Sequence, residues 1–255
     1  MATRTNTANI SELPSDEQSL RVDLAAAFRL AVHFDWHESI ANHFSAAISD
    51  DGKTFLLNPK WKHFSTIKAS ELLKLHADDK DAMNRPDAPD PSAWCIHGAI
   101  HAVAPQARVL LHCHPPYATA LACLQDPSIR PVDQNTARFF NRMAIDLTYG
   151  GIADDENEGK RIASVLGNHS IIMMGNHGVS VVGETVAEAF EHLYFLERAA
   201  KTMMLAYASG QPLNVMSDEL AEKTALGWEA YSDAAFAHFE HLKKMLDKTD
   251  SSYRD

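Results

Sequence analysis

The spacing of apolar residues changes at Asn42, and that change restricts the chain to folds that mix helices with a sheet. Before it, Leu20, Leu24, Ala27 and Ala31 fall on one face of a helix expected over 16–34, opened by a Ser15–Gln18 capping box. After it, residues 44–48 and 54–57 read as strands around the turn Asp50-Asp51-Gly52. That hairpin signal makes part of the sheet antiparallel. A short helix is expected at 69–73, a strand from Leu75, a helix from 90–92 to 103 ended by Pro105, and a strand at 109–113. Pro115 and Pro116 open a helix to 124. A helix at 158–166, strands at 171–174 and 179–182, and a helix at 186–208 with a Thr185–Glu188 capping box follow. One last long helix is expected over 218–246. With no repeat and no low-complexity linker, the pattern reads as a single α/β domain over 15–246. A flexible tail, 1–14, precedes it and a polar tail, 247–255, follows.

Charge narrows the partners. The chain has 34 acidic and 23 basic side chains, a net charge of −11 with histidine neutral. Such a surface repels phosphate backbones, which argues against nucleic acid. No apolar run approaches the roughly 18 residues of a membrane span, and the N-terminus has no hydrophobic signal region. Cys95, Cys113 and Cys123 cannot all pair and form no Cys-x-x-Cys, so a reducing, cytoplasmic compartment is expected.

Histidine is the residue in surplus, with 14 copies. His112 and His114 lie two apart at the end of a strand and so point to one face. His177 sits in Gly175-Asn176-His177-Gly178, a tight turn between two apolar strands where glycines let the backbone bend. Three neutral imidazoles suit Zn²⁺ and leave a position open for substrate or water; Mn²⁺, Co²⁺, Fe²⁺ and Ni²⁺ are alternatives. His97 and His101, four apart on a helix, share a face directed at the same pocket. His43 at a loop–strand junction, and His63 in the basic run Lys60-Trp61-Lys62-His63, are candidates for holding an acidic substrate.

The Ser-x-x-x-x-His segment, His112-x-His114, the Asn-His-Gly turn and the run Gly183-Glu184-Thr185-Val186-Ala187-Glu188-Ala189 together resemble the class II aldolase/adducin family over about residues 20–207. The resemblance implies a three-layer α/β/α fold with a mixed, mainly antiparallel central sheet. It also implies a homotetramer with the active site near a subunit interface, and His112, His114 and His177 as ligands of a divalent metal. Two departures stand out. The acid/base glutamate of the family's aldolases is Ala93 here, in Pro91-Ser92-Ala93-Trp94, and a glycine of its phosphate site is replaced by Trp61. With the Ile96-His97-x-x-x-His101 pattern, this places the chain in an adducin-like branch.

The expected activity is therefore that of a metal-dependent carbon–carbon lyase, stabilising an enolate or enediolate of a small hydroxy- or oxo-acid. Decarboxylation is favoured because it needs an acid to protonate the carbanion and no base to begin. His97, His101 and Tyr149 are the candidate proton carriers, and His43, Lys60, His63 and Arg138 the candidate substrate contacts. The alternatives are aldol cleavage with a histidine or tyrosine in place of the glutamate, and a non-catalytic, adducin-like interaction domain.

Overall fold

The structure is a computed structural model that describes residues 17–231 and 233–255. The expected tail 1–14 and Ser15 lie outside the described residues. Seven strands form one sheet in the order β3-β2-β1-β4-β7-β6-β5. They are β1 (His43–Ala47), β2 (Thr54–Leu57), β3 (Leu73–His76), β4 (Val109–Cys113), β5 (Met143–Asp146), β6 (Ile171–Met174) and β7 (Gly178–Gly183). Every neighbouring pair is antiparallel except β5 and β6. The hairpin expected around Gly52 is β1–β2, and the sheet is mixed and mainly antiparallel as the resemblance implies.

Helices cover both faces. α1 (Glu17–His33), α3 (Pro116–Ala122), α5 (Val186–Ala208) and α7 (Asp233–Asp247) bury Leu24, Phe28, Leu121, Phe190, Leu193 and Phe239 against one side. Phe44, Leu111, Met173 and Val181 meet them from the strands. On the other side α2 (Pro91–Val103) and α4 (Glu156–Leu166) pack Ile96, Ile100, Ile162 and Leu166 on Leu110, Ile172 and Val182. Strand parity explains the division, because alternate residues face opposite layers. The same parity sends His43 and Ser45 of β1, His112 of β4 and Ser180 of β7 to the α2 side. The centre of the sheet is thus polar on one face only.

The structure departs from the expectations in places. The last long helix is two helices, α6 (Asp218–Glu229) and α7, and the chain turns between them. α6 packs on the 3₁₀ turn Thr136–Phe139, where Trp228 Nε1 donates to the Gln134 carbonyl at 2.9 Å, whereas α7 packs on α5 and α1. One straight rod cannot reach both surfaces. The short edge strand β5 has no counterpart in the expectations, since four residues with only Ala144 and Asp146 buried give a weak period-2 signal. The polar tail 247–255 folds back: Tyr253 is fully buried, Arg29 pairs with Asp250, and the Asp255 carbonyl accepts from Ser70 N at 2.9 Å.

Candidate metal centre

His112, His114 and His177 converge, with one ring nitrogen of each within 4.8 Å of the others. Each is presented by a different device. His112 lies inside β4, opposite Ser180 of β7, and its Nδ1 donates to the Val179 carbonyl at 3.0 Å and to Ser180 Oγ at 3.1 Å. Its proton is therefore on Nδ1, and Nε2 carries the lone pair. His114 follows the strand, and its Nδ1 donates to Glu38 Oε2 at 2.6 Å. His114 Nε2 is buried and has no hydrogen-bond partner among the described residues. Metal-ligating histidines are typically held in this way, with the far nitrogen donating to a carbonyl or carboxylate.

The His177 turn works differently from the expectation. The left-handed residue is Asn176, at φ +56°, a conformation asparagine tolerates better than most side chains. The flanking glycines supply room instead. A Cβ on Gly178 would lie 2.4 Å from His114 Cδ2, and one on Gly175 would lie 3.0 Å from the Asp146 carbonyl. The turn also docks on α3, where Asn176 N donates to the Ala122 carbonyl at 3.1 Å. Below it, Arg161 of α4 bonds Asp146 and Glu158, which fixes the end of β5. Burial lowers the pKa of His112 well below the ordinary histidine range, and burial with the neighbouring His114 lowers that of His177 to about 4. Three ring nitrogens gathered this closely, with burial keeping His112 and His177 neutral, are a donor set a divalent metal accepts. The residues fit the group.

The remaining candidates fall into two sets. His43, His97 and His101 lie beside the cluster. His43 is opposite His112 in the β1–β4 ladder, and the rings stack at 4.7 Å and 27°. His97 and His101 are buried under the sheet, linked to His43 through hydrogen bonds. Tyr149 is half exposed, with its ring 6.1 Å from that of His177. His63 Nε2 is 3.1 Å from His37 Nε2, next to the Glu38 that holds His114. Lys60 Nζ lies 4.7 Å over the exposed Trp61 ring. Trp61 itself has φ +63°, a conformation glycine takes without strain. Ala93 is buried against Ala47, Phe55, Leu57 and Leu75.

Arg138 is not brought to the histidines. Its guanidinium stacks on Phe195 and Trp228 at 3.8 and 4.5 Å, and lies 3.8 Å from Glu191. It lines a cleft of about 440 Å³ with Arg142, His192 and Trp228, and none of the three clustered histidines lines that cleft. Glu38 and Ser45 are not among the sequence expectations. Ser45 was legible, being two residues from His43 on one strand face, whereas Glu38 lies in a loop with no periodicity to reveal it.

The family model for the class II aldolase and adducin N-terminal domain matches residues 22–204. The chain belongs to this family. A protein of Caulobacter vibrioides named for the class 2 aldolases is 32% identical over 206 residues, covering 81% of this chain and 79% of that one. The decarboxylase NovR of Streptomyces niveus is 27% identical over 218 residues, covering 82% and 80%. The crystal structure of an aldolase II superfamily protein from Pseudomonas syringae superposes with a TM-score of 0.85 at 30% identity, covering 96% of this chain and 98% of that one. Among the described residues, no helix is long and apolar enough to cross a membrane.

Proposed function

We propose that the protein is a divalent-metal-dependent lyase acting on a small hydroxy- or oxo-acid, with decarboxylation as the favoured reaction. One observation carries the reading: His114 Nε2 is buried, unpartnered among the described residues and clustered with His112 and His177. Zn²⁺ is the favoured ion, and when bound it supplies an electron sink for the negative charge that develops on substrate oxygens as a carbon–carbon bond breaks. The protein's own residues do the rest. We assign to Tyr149, whose ring lies 6.1 Å from that of His177, the donation of the proton that the carbanion needs. His43, Lys60 and His63 are assigned to the substrate and its carboxylate. His97 and His101 act through His43, since their nitrogens are engaged within the fold.

A buried alanine at position 93 offers no carboxylate base, which favours loss of CO₂ over aldol cleavage. The relative NovR, named a decarboxylase, supports the same choice. We assign the protein to the cytoplasm, with Cys95, Cys113 and Cys123 all unpaired, and to a homotetramer, which light scattering measures.

The test is metal analysis of the wild type, His112→Ala and His177→Ala, followed by a panel of hydroxy- and oxo-acids assayed for CO₂ and for aldehyde. Stoichiometric metal lost in both variants, with CO₂ released by the wild type alone, is expected. Aldehyde release instead identifies the aldolase. A wild type that binds no divalent metal rejects the enzyme and leaves the interaction domain.

A further inference from the structure

Three imidazoles and one hydroxyl form a buried chain on the α2 side of the sheet. His101 Nδ1 is 2.7 Å from the Ala107 carbonyl, and its Nε2 is 2.6 Å from Ser45 Oγ. Ser45 Oγ also meets His97 Nδ1, and His97 Nε2 is 2.7 Å from His43 Nδ1. All four side chains are at most 4% exposed.

The chain has one possible direction. A carbonyl only accepts, so His101 Nδ1 bears a proton. Rings this deeply buried and without an acidic partner in the chain stay neutral, so His101 Nε2 accepts, and the Ser45 hydroxyl donates to it. Ser45 Oγ then accepts from His97 Nδ1–H. That leaves His97 Nε2 as an acceptor, which His43 Nδ1–H satisfies. His43 Nε2 ends the chain as a lone pair. The polar atom it meets is Ser92 Oγ at 3.3 Å, and that hydroxyl donates to Asp90 Oδ1 at 2.6 Å. The His43 ring lies flat against His112, so this lone pair is one ring away from the metal cluster.

We propose that His101, Ser45 and His97 are positioning residues that hold His43 in its Nδ1–H tautomer, so that His43 Nε2 receives a hydroxyl donor of the substrate at the three-histidine site. The assignment rests on the proposed function for the ligand and deepens it: the substrate class is a hydroxy acid. The tautomer does not depend on the metal or on turnover. A reversed chain would set the His101 Nδ1 lone pair against a carbonyl and leave a buried nitrogen unsatisfied, so one tautomer prevails by roughly tenfold or more.

Long-range ¹H–¹⁵N correlation on histidine-labelled, metal-free protein reads the tautomer of each ring. Nδ1–H at His43, His97 and His101 together is the expected result. Nε2–H at His43 in the wild type overturns the proposal, and this needs no variant to fold. Ser45→Ala, folded, is expected to shift His43 toward a mixture, and Ser45→Thr to restore the single form; a Ser45→Ala protein with unchanged His43 overturns the coupling. The ligand half is tested on Zn²⁺-loaded protein. Glycolate, with a hydroxyl beside its carboxylate, is expected to move the His43 Nε2 resonance, and acetate to leave it in place. Equal movements, zero included, overturn the assignment of Nε2 to a substrate donor. Protein that takes up no Zn²⁺ rejects the metal reading and the ligand half with it, and leaves the tautomer result to stand alone.

Discussion

Acid should begin to destabilise the metal-free protein well above the pH at which its carboxylates are protonated. His43 and His101 are buried without charge, and burial lowers their pKa to about 3 and about 4, against 6.5 for an exposed ring. Below pH 6.5 the unfolded chain takes up a proton at each that the folded chain does not. Unfolding therefore consumes protons, and stability falls as pH falls, until the folded rings also titrate. Each unit of pH between 6.5 and the folded pKa removes about 1.4 kcal/mol per group. At pH 4.5 the two rings together cost about 5 kcal/mol, a large share of the 5–15 kcal/mol typical of a domain. His97 and His112 are shifted the same way and add to the loss. Asp23 and Glu197, whose pKa values burial raises, oppose it only near the carboxylate range. Urea unfolding of metal-free protein in steps from pH 7 to 4.5 measures the effect. His101→Phe, if folded, should flatten the slope by about one proton. A stability that changes by less than about 1 kcal/mol over this interval would refute neutral burial of the histidine chain.

Three other perturbations test the centre and its supports. Glu38→Gln should weaken Zn²⁺ binding by about 10–100-fold in a competition titration with little change in fold, because the carboxylate sets the His114 ring. Gly178→Ala should abolish metal uptake while far-UV dichroism stays native, since its Cβ would displace His114 or the Cys113 carbonyl. Glu197→Ala should lower urea stability by about 1–3 kcal/mol, because its carboxylate accepts from Tyr117 N at 3.0 Å and Ala118 N at 2.8 Å at the start of α3.

Much of the fold was legible because it is local. Helix periods, the Thr185–Glu188 capping box and paired prolines mark α1, α2, α3 and α5, and the strands β4, β6 and β7 show as short apolar runs between breakers. The break between α6 and α7 was not, because the apolar pattern runs through it and the turn follows from where each helix finds a surface. The three-histidine cluster was legible for a related reason. Strand parity turns His112 to the α2 side, His114 continues that alternation one residue past the strand, and the turn presents His177 to both.

What the sequence determined by itself is which side chains carry lone pairs and which share a face. The tertiary structure decided what those lone pairs meet. Glu38 reaches His114 across 76 residues, and Ser45 joins His97 and His101 across 52 and 56. Arg138, a sensible substrate contact in one dimension, is instead held between two rings and a glutamate. A hydrogen bond depends on an ångström-scale distance and a direction, and a linear pattern carries neither between segments that only folding brings together.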